Sequence, residues 1–348
     1  MVMVYSIRRN VKYSVIRAGL NAIAFSGANC LLPSAAGRGV IFTLHHVRPQ
    51  SDAQFQPNAI LSVTPQFLAE TIQTVLEAGL TPVHLHDLPA LLADADDKRR
   101  FVAFTLDDGF RNNAQFAAPV FRRFGVPYTV FPAIGFVKRT RTIWWETCQA
   151  VLEKAERIDF DFGNGVETLG TETKARKFRA FDRLADFVRS FDEDAAVQRI
   201  DELARRCNID PLAIVDGLVL DQAELSQLAA DPLAHIGGHT LSHVNLLRVS
   251  EDRLRHEIQG SIAAIEHYCG YRPKSFAYPY GWRAAVGERE TKAVAQAGFL
   301  AAVTTQPAVL RHSDAKNSMS LNRISLNGYF QKKRYVRALI SGLAFKFL

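Results

Sequence analysis

Several features that often narrow a first reading are missing from this sequence. Cysteine is scarce and dispersed: Cys30, Cys148, Cys207 and Cys269 stand far apart. They make neither a CxxC metal knuckle nor the closely spaced even set of a disulfide framework. At 348 residues the chain needs no such staples, because a polypeptide of this length buries a large core. No apolar run approaches the roughly 20 residues a bilayer-spanning helix requires. The best, Ala18 to Ala28, is broken by Asn21. A secretion signal fits poorly, since Arg17 falls where its apolar stretch should lie. Asn29 beside Cys30 likewise spoils a lipoprotein cleavage site. The expectation is a cytoplasmic protein starting at or near Met1, with peripheral contact to the inner membrane as a variant.

Acidic residues are absent from both ends. Residues 1–40 hold Arg8, Arg9, Lys12, Arg17 and Arg38; residues 327–348 hold Lys332, Lys333, Arg334, Arg337 and Lys346. The formal charge of +7 therefore belongs to the ends, and the body between them is slightly acidic. That distribution, with no interleaved array of basic and aromatic residues, argues against a nucleic-acid binder. It suits either two solvated helix faces or contact with an anionic membrane. With 48% hydrophobic and 22% charged residues the chain is globular, not disordered, collagen-like or coiled-coil.

Ile7, Val11, Val15, Ala18, Ala22 and Phe25 recur at helical spacing, predicting a basic amphipathic helix over 7–25 within an N-terminal segment 1–39. From Val40 short apolar runs alternate with helical stretches. The runs at 40–45, 81–84, 101–107, 128–132, 234–239, 274–279 and 299–304 read as buried strands. Strands alternating with helices predict a parallel sheet, and seven of them favour a (β/α)7-type barrel over 40–326. The hundred residues between Pro132 and His235 exceed any simple crossover. They predict an inserted helical subdomain at about 144–232, with a turn or short hairpin over 159–173. Val336, Leu339, Ile340, Leu343 and Phe347 predict a second basic amphipathic helix in the C-terminal segment 327–348.

Four stations at strand ends carry chemistry. Asp107-Asp108-Gly109 closes an apolar strand. Side chains alternate along a strand, so adjacent carboxylates point apart: one can bind a metal while the other acts as a base. Alone the tripeptide is also an ordinary turn. His239 and His243 stand at i and i+4, a spacing that converges two imidazoles on one face. Together with one aspartate they make a three-ligand set that leaves a position for water, as in catalytic zinc sites. Tyr278-Pro279-Tyr280-Gly281 can shape a pocket wall and present a backbone N–H. His45, in Thr43-Leu44-His45-His46, can serve as a general acid.

In this order the stations resemble the polysaccharide deacetylase family, carbohydrate esterase family 4, over about Val40 to Thr305. The resemblance implies a distorted (β/α) barrel, a divalent ion (zinc above all) and hydrolysis of N-acetyl groups from amino sugars. By motif, Asp107 matches the base, and Asp108, His239 and His243 the metal ligands. Tyr280 matches the residue whose N–H supports the oxyanion. The family's third motif begins with Arg where this chain has Ala277, leaving Arg323 and Arg283 as candidates to replace it. His312, in Leu310-Arg311-His312, matches the usual acid superficially but sits in a polar stretch. His45 agrees better with a circularly permuted branch that takes its acid from an N-terminal strand. The expected partner is an N-acylated oligo- or polysaccharide. The alternatives are a lipid-linked sugar precursor at the membrane and a catalytically silent carbohydrate-binding relative. Trp144 and Trp145 are either core or a platform for a sugar ring.

Overall fold

The computed structural model describes residues 3–26 and 33–346; Cys30 and Phe347 lie outside them, and side chains of the first helix are described from Val11 onward. Twelve strands occur among the described residues: β1 (Gly39–Leu44), β2 (His46–Val47), β3 (Ser62–Val63), β4 (Leu80–Pro82), β5 (Arg100–Asp108), β6 (Tyr128–Pro132), β7 (Arg157–Asp161), β8 (Val166–Gly170), β9 (Ala234–Ile236), β10 (Ser275–Ala277), β11 (Ala301–Val303) and β12 (Ile324–Ser325). β1 and β6 are buried along their length and β5 from Phe101 onward, which is why they read as continuous apolar runs.

The parallel sheet runs β12-β1-β5-β6-β9. It continues through a bridge between Gly238 and Phe276 to β10 and β11, and a further bridge, Val303 to Leu321, returns it to β12. Seven strands thus close a distorted barrel. Seven was the expected number, but one member differs. The run at 81–84 forms β4, which pairs only with the first residues of β5, off the main path. The closing strand is instead Ile324–Ser325, whose two residues are too short to show a period. Register delivers the chemistry to one end: Leu44 lies opposite Leu106, and Asp107 and Asp108 opposite Phe131 and Pro132. Gly109 follows with φ +72°, and a Cβ there would come 2.8 Å from the Pro132 Cβ. Glycine is required at this turn.

The insertion comprises the helices Trp144–Lys154, Lys174–Ser190, Glu193–Arg206, Pro211–Leu218 and Gln222–Ala229, plus the antiparallel hairpin β7–β8. Thr173, Asp192, Asp210 and Asp221 cap the last four by accepting from backbone N–H groups, so each start is set by a local side chain. Leu184, Phe187, Ile200 and Val215 bury the inner faces.

The first helix spans Met3–Phe25. The C-terminal helix is shorter than its apolar spacing predicts, covering Lys333–Ile340. Gly342 then turns left-handed, packing where a Cβ would meet the Ala35 carbonyl oxygen at 1.9 Å. The two terminal helices pack on each other: Leu20 is buried with Phe330, Tyr335 and Ala338, and Arg334 Nε donates to Asn21 Oδ1 at 3.0 Å. The described cysteines Cys148, Cys207 and Cys269 are free. No helix among the described residues is long and apolar enough to cross a membrane.

A cluster of imidazoles sits between β9 and the segment that follows β4. His86 lies 4.6 Å from His235 and 5.2 Å from His84, ring centre to ring centre. Burial, and after it their mutual proximity, lowers His86 to about 4 and His235 to about 3. These histidines stay neutral in the folded protein while the unfolded chain takes up protons below about pH 6.5. Stability should therefore be complete above pH 6.5 and decline as pH falls from there towards 4. Urea midpoints measured for the wild type and for a His86→Phe/His235→Phe variant check this. The variant should lose less stability between pH 7 and pH 5.

Candidate active site

Asp107 and Asp108 end β5 with their side chains on different neighbours. Arg323, fully buried, grips Asp107 with two parallel bonds, Nη1 to Oδ1 and Nη2 to Oδ2, each 2.7 Å. The rest of its fork is satisfied: Nε donates to the Thr304 carbonyl at 2.9 Å, and Nη1 also reaches Thr105 Oγ1 at 3.0 Å. Burial raises the Asp107 pKa, but the guanidinium outweighs it and holds the carboxyl below its usual range. Of the two arginines that could replace the family's missing one, Arg323 does so. Arg283 is exposed and reaches only Gln306.

Asp108 faces the two histidines. Its Oδ1 lies 3.5 Å from His239 Nε2 and 3.3 Å from His243 Nε2, and the ligand atoms of the three all lie within 4.8 Å of one another. Burial again pushes the carboxyl pKa up, and the facing imidazoles hold it well below the ordinary value. His239 Nδ1 donates to the Ala277 carbonyl at 2.7 Å, which leaves Nε2 free to ligate. Ala277 therefore serves the site through its backbone.

The loop bearing the histidines is clamped from the helix Glu251–Cys269. Glu257, buried there, accepts from the N–H groups of Leu241 and Ser242 at 2.8 Å each and from Ser242 Oγ at 2.5 Å. The clamp fixes a strained backbone. Asp108, Thr240, His243 and Tyr280 all have positive φ, a conformation that costs non-glycine residues energy and recurs at functional sites.

Tyr280 points its ring at His243, 5.0 Å between centres. Its hydroxyl donates to Glu193 Oε1 at 2.6 Å and accepts from Trp144 Nε1 at 3.1 Å. The Tyr280 N–H has no acceptor among the described residues. Glu193 Oε2 in turn accepts from the Asn245 N–H. Burial raises the Glu193 pKa, and burial with this carboxylate raises Tyr280 well above its usual range. Sequence reading missed Glu193, Glu257 and their ties: an acid near a helix start reads as an N-terminal charge, and only the tertiary contact reveals its use.

His45 and His46 diverge. His46 is buried, stacks on Phe110 at 3.6 Å and accepts from Asn112. His45 is half-buried and borders, with Asp108, His243 and Tyr280, a cavity of about 1180 Å³. Burial lowers its pKa, opposed by the two aspartates. His312 instead opens an exposed turn, His312–Ser320. Trp144 and Trp145 are both buried and both face the cavity.

The chain thus forms a closed (β/α) barrel with an Asp/His/His cluster beside an arginine-held carboxylate. The pattern of the polysaccharide deacetylase family matches residues 181–302, which include both histidines and Tyr280 but not the Asp pair. No curated protein matches by sequence. Among solved structures the chain is similar to IcaB from Ammonifex degensii, with 15% identity, 86% of this chain and 98% of that one covered, and a TM-score of 0.53. It is also similar to BC0361, a polysaccharide deacetylase from Bacillus cereus, with 13% identity, coverage of 86% and 68%, and a TM-score of 0.54. For the Streptococcus pyogenes deacetylase PplD the figures are 15%, 83% and 92%, and 0.50. Over residues 181–302 the sequence thus matches the polysaccharide deacetylase pattern, and the whole chain shares its fold with solved deacetylases.

Removing Arg323 strands a buried carboxylate. Arg323→Met should cost about 3–5 kcal/mol of stability, read from chemical denaturation. Arg323→Lys, which keeps a charge but not the fork, should cost less.

Proposed function

We propose that this chain hydrolyses the N-acyl group, acetyl above all, of an amino sugar in an oligo- or polysaccharide. What supports this best is an arginine-held Asp107 adjacent to Asp108, whose ligand atom lies within 4.8 Å of those of His239 and His243, with Asp108 and His243 bordering one cavity. Arg323 also removes the main motive for reading the chain as catalytically silent. In this reading 40–326 is the catalytic unit, 144–232 its wall, and 1–39 and 327–348 are accessory segments.

Asp108, His239 and His243 would hold a divalent ion. The residues fit one: the buried Asp108 Oδ1 has no hydrogen-bond partner, and His239 presents Nε2 with Nδ1 already committed. One carboxylate and two imidazoles suit zinc. When bound, such an ion polarises the acyl carbonyl and lowers the pKa of water towards about 7. Asp107 would take the proton of the attacking water, its carboxylate kept ionised and aimed by Arg323. The Tyr280 N–H would donate to the acyl oxygen as it gains charge. His45 would protonate the leaving nitrogen. Burial lowers its pKa, making its imidazolium a readier proton donor to the departing nitrogen than a free one. Water adds to the acyl carbon, the C–N bond breaks, and a carboxylic acid and a free amine depart.

Asp107→Asn should keep the metal and lose about 10²–10⁴-fold in rate on N-acetylated chito-oligosaccharides. The assay is amine release together with metal content. Full activity in this variant would remove Asp107 as the base. His239→Ala/His243→Ala should bind no stoichiometric metal. His45→Ala should abolish the basic limb of the pH–rate profile and His312→Ala should leave it; the reverse result would transfer the acid role to His312.

A further inference from the structure

The cavity that reaches His45, Asp108 and His243 does not end there. It extends between the barrel mouth and the first helix as an apolar trough of about 1180 Å³, beyond the roughly 300–1,000 Å³ of ordinary small-molecule sites. Its far walls are hydrocarbon: Ile16, Ile23, Ile60, Leu61, Leu339 and Phe345. A polysaccharide carries hydroxyls along its whole length and would leave them unpaired against such walls. At the reactive end Trp144, Tyr280, Trp282 and Arg189 supply aromatic faces and a cation suited to a sugar.

On the Met3–Phe25 helix that roofs the trough, Val11, Val15 and Phe25 are exposed, next to Lys12 and Arg17 on a segment without acids. An apolar trough lined at one point by Lys12, on a helix that also carries Arg17, is complementary to a hydrocarbon chain joined through phosphate to a polar head. We propose that the substrate is a lipid-linked N-acyl amino sugar, whose chain lies in the trough while its acyl group meets Asp107 and Asp108. This rests on the deacylase reading and narrows its substrate to an amino sugar or oligosaccharide carried on a lipid.

All three tryptophans border the cavity, so intrinsic fluorescence reports its filling. Titration of the full-length protein with farnesyl phosphate and with isopentenyl phosphate tests the trough without any acyl group present. Farnesyl phosphate should bind at least about tenfold more tightly, since each buried methylene adds severalfold. Ile16→Glu and Ile60→Trp, one charging the roof and one filling the floor, should each weaken farnesyl phosphate about tenfold or more. Both should leave turnover of chitotriose within about twofold of wild type. The farnesyl ester of N-acetylglucosamine 1-phosphate should show a kcat/KM at least about tenfold above N-acetylglucosamine 1-phosphate, a margin lost in both variants. Equal binding of the two phosphates, or farnesyl binding that both variants leave unchanged, overturns the proposal. Tight chain binding with no deacylation of either sugar would instead sustain the trough and overturn the deacylase reading.

Discussion

The buried pair between Arg323 and Asp107 is the interaction on which most of this structure depends. It joins the end of β5 to the segment entering β12 across β1, tying three neighbouring strands of the barrel and aiming a carboxylate in the same contact. A charged pair with both partners almost wholly out of solvent persists only if every donor finds an acceptor. Thr304 and Thr105 meet that condition here. Without the guanidinium, burial alone would raise the Asp107 pKa.

Around that pair the inserted helices act less as a separate body than as part of the wall. Glu193 ties the Tyr280 ring to the loop carrying Asn245, and Trp144 adds a second bond to the same hydroxyl. Glu257 does comparable work from the other side by holding the turn before His243. These contacts place strained residues on three different loops without asking any one loop to hold itself.

The terminal segments show how alike patterns lead to different outcomes. Both ends read as basic amphipathic helices. Each buries part of its apolar face against the other, as Leu20 does with Tyr335 and Ala338, yet Val15 and Phe25 remain outside. Pairing alone does not exhaust the apolar surface of the first helix, and the trough beneath it is what the remaining surface borders.

The sequence by itself determined the alternation of buried strands and helices, the position of the insertion, and the four stations at strand ends. All of these are local signals, set by side-chain period and by turn chemistry. It also singled out Asp107, Asp108, His239 and His243, because carboxylate and imidazole types at strand ends have few structural reasons to be there. Only the tertiary structure decided that His45, not His46, borders the cavity, since both follow the same strand and the turn between them sends one ring inward. It alone decided that Arg323 replaces the arginine absent at Ala277, and that Ile324–Ser325, not the run at 81–84, closes the barrel. Those outcomes depend on which chain segments far apart in sequence come to share one buried space. Local pattern carries no information about that, because the energy of a buried pair or of a two-residue strand resides wholly in its partner.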